Sequence, residues 1–289
     1  MEKKIAVNKD ATKSTTDSGK SGSMFATLAI PIAIVAAIII YMFILGNPAN
    51  FEGGDTNNHP LPGNVLGIVY KGGFIVPILI ALLIMVLAFG IERFLTISKA
   101  KGSKGIEGFV RTIRMKLNQH DVNGAMAACD AQKGSVANVV KAGLHKYKEM
   151  VADNSLPKDQ KVLAIQKEIE ETTALELPML EKNLVIISTI ASIATLVGLI
   201  GTVLGMIKAF SALSAGGAPD AVGLANGISE ALINTALGIT GSAIAIIAYN
   251  FFTSKIDELT YSIDEAGFSI IQTFASQEGN TTTKAPYNA

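Results

Sequence analysis

Along this chain the hydrophobic positions fall into four long runs. Met24–Gly46 holds no charged residue, and Phe74 to about Thr96 stays apolar until Glu92-Arg93. Leu184–Leu213 and the run around Ala231–Thr253 are apolar over a similar or greater length. Each matches or exceeds the ~20 residues a helix needs to cross the hydrocarbon core of a bilayer. The pattern therefore predicts spanning helices at 24–46, 74–96, 184–213 and 228–253. Between the second and third, residues 97–183 change to amphipathic spacing. Ile106, Phe109, Val110, Ile113 and Leu117 recur at helical intervals, with Arg111, Arg114 and Lys116 opposite. Asp121 is placed to cap the next helix, which runs to Ala131, and Gly134 to end it. Val136–Met150 and Lys158–Leu177 read as two more helices. The fold class is all-α: a polytopic membrane protein whose long helices extend into a helical cytoplasmic domain.

The remaining stretches connect these elements. Residues 47–73 form an outer loop, rich in Gly, Asn and Pro, that ends in a short apolar run, Val65–Tyr70, fitting an interfacial helix. Residues 214–227 form a second, small-residue loop. After Thr253 an amphipathic helix continues to about Phe274, and residues 276–289 have the composition of a disordered tail. Residues 1–23 read the same way and are basic, with Lys3, Lys4, Lys9, Lys13 and Lys20 against three acids.

Charge fixes an orientation. Of the 24 Lys and Arg, all but Lys71 and Lys208 fall in the tails, the central domain or its boundaries. By the positive-inside rule both termini are cytoplasmic. Met24–Gly46 exceeds the about 7–15 residues of a signal-peptide core and reads as a retained helix, with cleavage near Asn47-Pro48-Ala49-Asn50 as the alternative. At 49% hydrophobic and 17% charged, with net charge zero, the chain carries no basic surface for nucleic acid. Its single cysteine, Cys129, excludes an intrachain disulfide and reads as a buried small hydrophobe. His59, His120 and His145 show no metal-ligand spacing. No phosphate-binding glycine loop or nucleophile elbow is present. An enzyme, a metal and a cofactor are all not expected.

The last two apolar runs carry polar stripes. Ser188, Thr195 and Thr202 fall seven apart on one helix and Thr235, Ser242 and Tyr249 on the other, so each set stays within about 20° per heptad of one face. Asn234 lies beside Thr235, and Glu230 one turn earlier. Polar side chains at membrane depth usually face a bundle interior or a watery path. The blander readings are a threonine hydroxyl satisfied on its own helix and an acid favoured by a helix N-terminus. Gly198, Gly201, Gly205, Gly238 and Gly241 are expected to let helix backbones approach closely.

Val197-Gly198-Leu199-Ile200-Gly201-Thr202-Val203-Leu204-Gly205-Met206, followed by Ile228-Ser229-Glu230-Ala231-Leu232-Ile233-Asn234-Thr235-Ala236-Leu237-Gly238, resembles the signature of the MotA/TolQ/ExbB proton-channel family, most of all ExbB. Leu66 to Phe94, Asp121–Cys129 and Val139–Leu144 also resemble it, so the likeness covers about residues 64 to 275. It implies an ion-driven stator in the inner membrane of a Gram-negative bacterium. That stator would be a homopentamer around a single-span partner of the ExbD or TolR type, energising outer-membrane transport through a TonB-like transducer. It places Thr202, Thr235 and Glu230 on the ion path. Asn234, which stands where the family commonly has a small residue, adds a ligand to that path or bonds across helices. Two further features depart from the family: the extra first helix, and Lys208, where the family often has an uncharged residue. Lys208 is a plausible partner for Glu230. Neither pore helix has a carboxylate near mid-depth, so a carrier for the ion must come from the partner's aspartate. The motifs suit proton or sodium alike. Service in gliding or envelope maintenance, as for TolQ, and a passive channel or scaffold are the alternatives.

Overall fold

The computed structural model describes residues 27–103, 105–214 and 220–282. The basic tail expected at 1–23, the start of the first helix and part of the 214–227 loop lie outside them. Among the described residues there is no strand, only an isolated bridge between Phe51 and Pro60. The helices are α1 (Thr27–Leu45), α2 (Val65–Tyr70), α3 (Ile75–Lys101), α4 (Ile106–Asn118), α5 (Val122–Gln132), α6 (Ser135–Ala152), α7 (Lys158–Glu181), α8 (Leu184–Ser214) and α9 (Ala221–Thr282). Four helical stretches, containing α1, α3, α8 and α9, are long and apolar enough to cross a membrane. The chain is an all-α polytopic protein divided into two compact units, Met1–Ile91 with Asn183–Tyr249, and Glu92–Lys182 with Asn250–Ala289.

Two expectations about α9 need correction. The second loop was expected to run to Gly227, but the helix starts at Ala221, because Asp220 accepts the Gly223 N–H at 2.9 Å and so caps it. The tail was expected from Ser276, yet α9 runs unbroken through Thr253 and on to Thr282.

In the first unit, α1 is apolar on nearly every side, as suits a helix whose exposed faces meet lipid. Its last turn, Ile40–Leu45, is a π-helix. Asn50 satisfies the carbonyls this end leaves over, donating to Ile44 O and Leu45 O at 2.9 Å each. Tyr41 stacks on Tyr70 of α2 with ring centroids 4.7 Å apart and donates to its carbonyl at 3.2 Å. Asn64 caps α2 through the Gly67 N–H and donates to Asn50 Oδ1 at 3.0 Å. The segment between α1 and α2 is thus bonded to both helices.

The second unit is built on amphipathic faces. Ile106, Phe109, Val110, Ile113 and Leu117 of α4 are all buried, as are Val136, Val139, Val140, Leu144 and Tyr147 of α6. Tyr147 meets Phe274 of α9 edge-on at 5.1 Å. Asp121 caps α5, accepting the Gly124 N–H at 2.8 Å, and Lys133 and Gly134 leave the helix with φ of 59° and 85°. Buried Arg93 donates to Met179 O and Leu180 O at 3.2 and 2.9 Å, closing the end of α7 beyond Pro178. Cys129 is buried, and that burial pushes its thiol up to about 12.

Candidate functional site

The site grows from how α8 and α9 meet inside the first unit. In lipid there is no apolar burial to drive helices together, so close backbone contact has to supply the attraction. A Cβ on Gly198 would lie 3.0 Å from Gly238 Cα, and one on Gly205 would lie 2.7 Å from Ala231 N. A Cβ on Gly238 would sit 2.7 Å from Ala194 O. These contacts leave no room for a side chain. Gly241 differs: its Cβ would meet Ala194 Cβ at an ordinary 3.7 Å, so close packing does not demand a glycine there. Gly227, expected in a loop, is part of the same seam, since a Cβ on it would lie 2.6 Å from Ala209 N.

Such intimacy decides where the polar side chains go. Thr202 and Thr235 meet across the seam, hydroxyl to hydroxyl, both half-buried. The Thr202 hydroxyl also lies 3.2 Å from Gly198 O; with its proton placed there, Thr235 is the donor into Thr202. Asn234 is fully buried beside Gly201 and donates through Nδ2 to the Gly72 carbonyl at 2.9 Å. Its Oδ1 is buried without a hydrogen-bond partner among the described residues. Ser242 is buried and donates to Ala191 O at 2.6 Å. Ser188 and Thr195 instead lie on the chain's exposed surface, with Tyr249 half-buried. Among the described hydrogen bonds, the two stripes meet at Thr202 and Thr235.

Glu230 stands one turn before Asn234 and is buried, with Lys208 Nζ 2.7 Å from its Oε2. Its other oxygen lies against Gly73, where a Cβ would overlap it. Gly73 sits at φ 76°, in the left-handed region that favours glycine, so two constraints act on one residue. The Lys71-Gly72-Gly73 turn joining α2 to α3 is thus a wall of the site, receiving Asn234 on Gly72 and Glu230 on Gly73. Sequence reasoning assigned no role to these two glycines. The adjacent Gly-Gly pair opening a spanning helix was the available signal.

Beside the threonines, an open groove of about 770 Å³ runs along α8 from Thr202 to Ser214, lined by Val203, Met206, Ile207 and Phe210. Polar groups placed in pairs at the edge of an apolar groove can hand a proton on or bond a carboxyl in either of its forms.

Four membrane-length helical stretches, two of them meeting at a hydroxyl-bearing seam, define a polytopic helical membrane protein. Residues 131–265 match the model of the MotA/TolQ/ExbB proton channel family. The segments Leu66 to Phe94 and Asp121–Cys129, read above as similar to that family, lie outside the matched residues. The chain is similar to an ExbB-like 3 biopolymer transport protein of Synechocystis, 38% identical over 88 residues, which are 30% of this chain and 42% of that protein. It is also similar to the Tol-Pal system protein TolQ of Pseudomonas aeruginosa, 29% identical over 124 residues, 43% of this chain and 54% of that one. The chain thus spans about half the length of these curated relatives.

Proposed function

We propose that this chain is the ion-path subunit of an inner-membrane stator, which turns a flow of protons into work through a single-span partner, with no enzymatic chemistry of its own. The observation that carries the reading is the meeting of Thr202 and Thr235 across α8 and α9. Two hydroxyls at that depth can bond a partner's carboxyl whether or not it is protonated. The chain's own carboxylate, Glu230, stands one turn before Asn234 and is already paired, and α9 has no further acid before Asp257. A bare charge at the bilayer centre costs at least about 2.5–3.5 kcal/mol on insertion scales, so a neutralisable aspartate brought by another chain lowers the barrier. The assembly we propose is a homopentamer around an ExbD- or TolR-like helix, both termini in the cytoplasm of a Gram-negative cell. Its output is energised outer-membrane transport through a TonB-like transducer. The match to TolQ supports envelope maintenance as a second output of the same device.

Proton flux into vesicles tests the reading. Vesicles holding this chain and a co-purified single-span protein with an aspartate in its helix should conduct. Vesicles holding this chain alone should not. Equal flux from the chain alone would replace the stator with a self-sufficient channel.

A further inference from the structure

We propose that Lys208 is the selectivity element of the outer mouth: its ammonium is a tethered counter-ion that fills, at Glu230, the place a metal cation would take. The inference rests on the stator reading above, with Glu230 at the mouth of the path rather than as its carrier. The Glu230 side chain is 11% exposed, Lys208 holds one of its oxygens at 2.7 Å, and the Gly73 backbone covers the other. An unpaired carboxylate at a rim concentrates cations of every kind. A carboxylate paired with its own ammonium does not, because the two charges cancel a short distance away.

The surroundings carry the same balance. Lys71 Nζ is held by the carbonyls of Thr56 and Asn57 at 2.9 and 3.0 Å and lies 5.6 Å from the Phe51 ring centroid. Burial lowers the Lys71 pKa; Asp55 acts the other way, and the Lys208 ammonium lowers it further, so the two cations stand within each other's field. Asp55 thus acts on Lys71 as Glu230 does on Lys208, so each of these ammoniums has a carboxylate set against it. Oxygen ligands deeper in do not compensate. The Thr202 and Thr235 hydroxyls bond each other, and Asn234 offers one open acceptor. A proton needs no such cage. Lys208, whose side chain is 66% exposed, stays solvated while it holds Glu230.

Thermal unfolding of the full chain in detergent, in sodium chloride against choline chloride at equal ionic strength, reads the bare site. The unsubstituted protein and Lys208→Arg should unfold at the same temperature in both salts. Lys208→Gln and Lys208→Met should be stabilised by sodium by about 2–4 °C, as a ligand bound only to the folded state requires. In partner-containing vesicles, sodium should lower proton flux about tenfold in Lys208→Gln and leave the unsubstituted protein unchanged. A sodium effect already present in the unsubstituted protein overturns the proposal. So does a folded Lys208→Gln or Lys208→Met indifferent to sodium. Absence of partner-dependent flux would instead sink the stator reading, because the unfolding comparison does not depend on transport.

Discussion

Gly201 and Asn234 occupy one place between them: a Cβ on Gly201 would lie 2.5 Å from Asn234 Cβ and 2.8 Å from its Nδ2. The glycine on α8 is the hole, the asparagine on α9 the plug, and the plug is bonded on its far side to Gly72. Gly201→Ala should therefore act on the α2–α3 turn as well as on the helix seam. Overpacking of this kind costs about 1–3 kcal/mol. Unfolding in detergent should show that loss, and Asn234→Ala combined with Gly201→Ala should recover part of it. Additive losses in the double variant would mean that the two residues do not share the space.

The threonine pair gives a sharper functional test. Thr202→Val and Thr235→Val keep shape and remove one hydroxyl each. Both should assemble normally and lose partner-dependent proton flux. Because each hydroxyl's partner is the other, the double variant should be no worse than either single one, a coupling a double-mutant cycle measures directly. Full flux in both single variants would reduce the pair to packing.

Asn50 closes the end of α1. Asn50→Ala strips two carbonyls of their donor inside a buried corner, a loss of about 1–3 kcal/mol. Asn47→Ala, which removes an exposed cap on the next turn, should cost less in the same unfolding experiment. Equal losses would mean that the corner is open to water.

Asp121 ties stability to pH in the second unit. Its hydrogen bond from Lys116, and then that from the Gly124 N–H, hold its pKa below the ordinary 3.8. A carboxyl with a depressed folded pKa stabilises fully above its unfolded value, and that stability is lost as pH falls through the folded one. The acid limb of the unfolding midpoint should flatten in Asp121→Asn, which can still cap but cannot lose a proton. An unchanged limb would place the acid sensitivity elsewhere.

The spanning elements were legible because an apolar run of bilayer length has few other uses, and α4 was legible because its apolar positions keep helical spacing. The start of α9 was not. Residues 221–227 look like a loop by composition, yet Asp220 caps them and Gly227 is drawn into contact with Ala209. Composition reports what a residue can do, whereas the neighbouring helix decided what it does. Within the site, the sequence placed Thr202 and Thr235 on stripes and named Lys208 as a partner for Glu230. It did not separate Thr195, which is exposed, from Thr202, because a heptad repeat fixes a face but not what covers it. The Gly72-Gly73 wall depends on contacts between residues more than 150 positions apart, for which local spacing has no signal.

The glycine seam has a mechanical consequence. Side chains at a helix interface can change rotamer and let one helix slip past the other; backbone against backbone cannot. Turning α8 by a single residue would present Leu199 in place of Gly198 and Thr202 in place of Gly201, against a surface with no room for either. The pair is keyed like a tongue in its groove, so a movement of either helix carries the other with it.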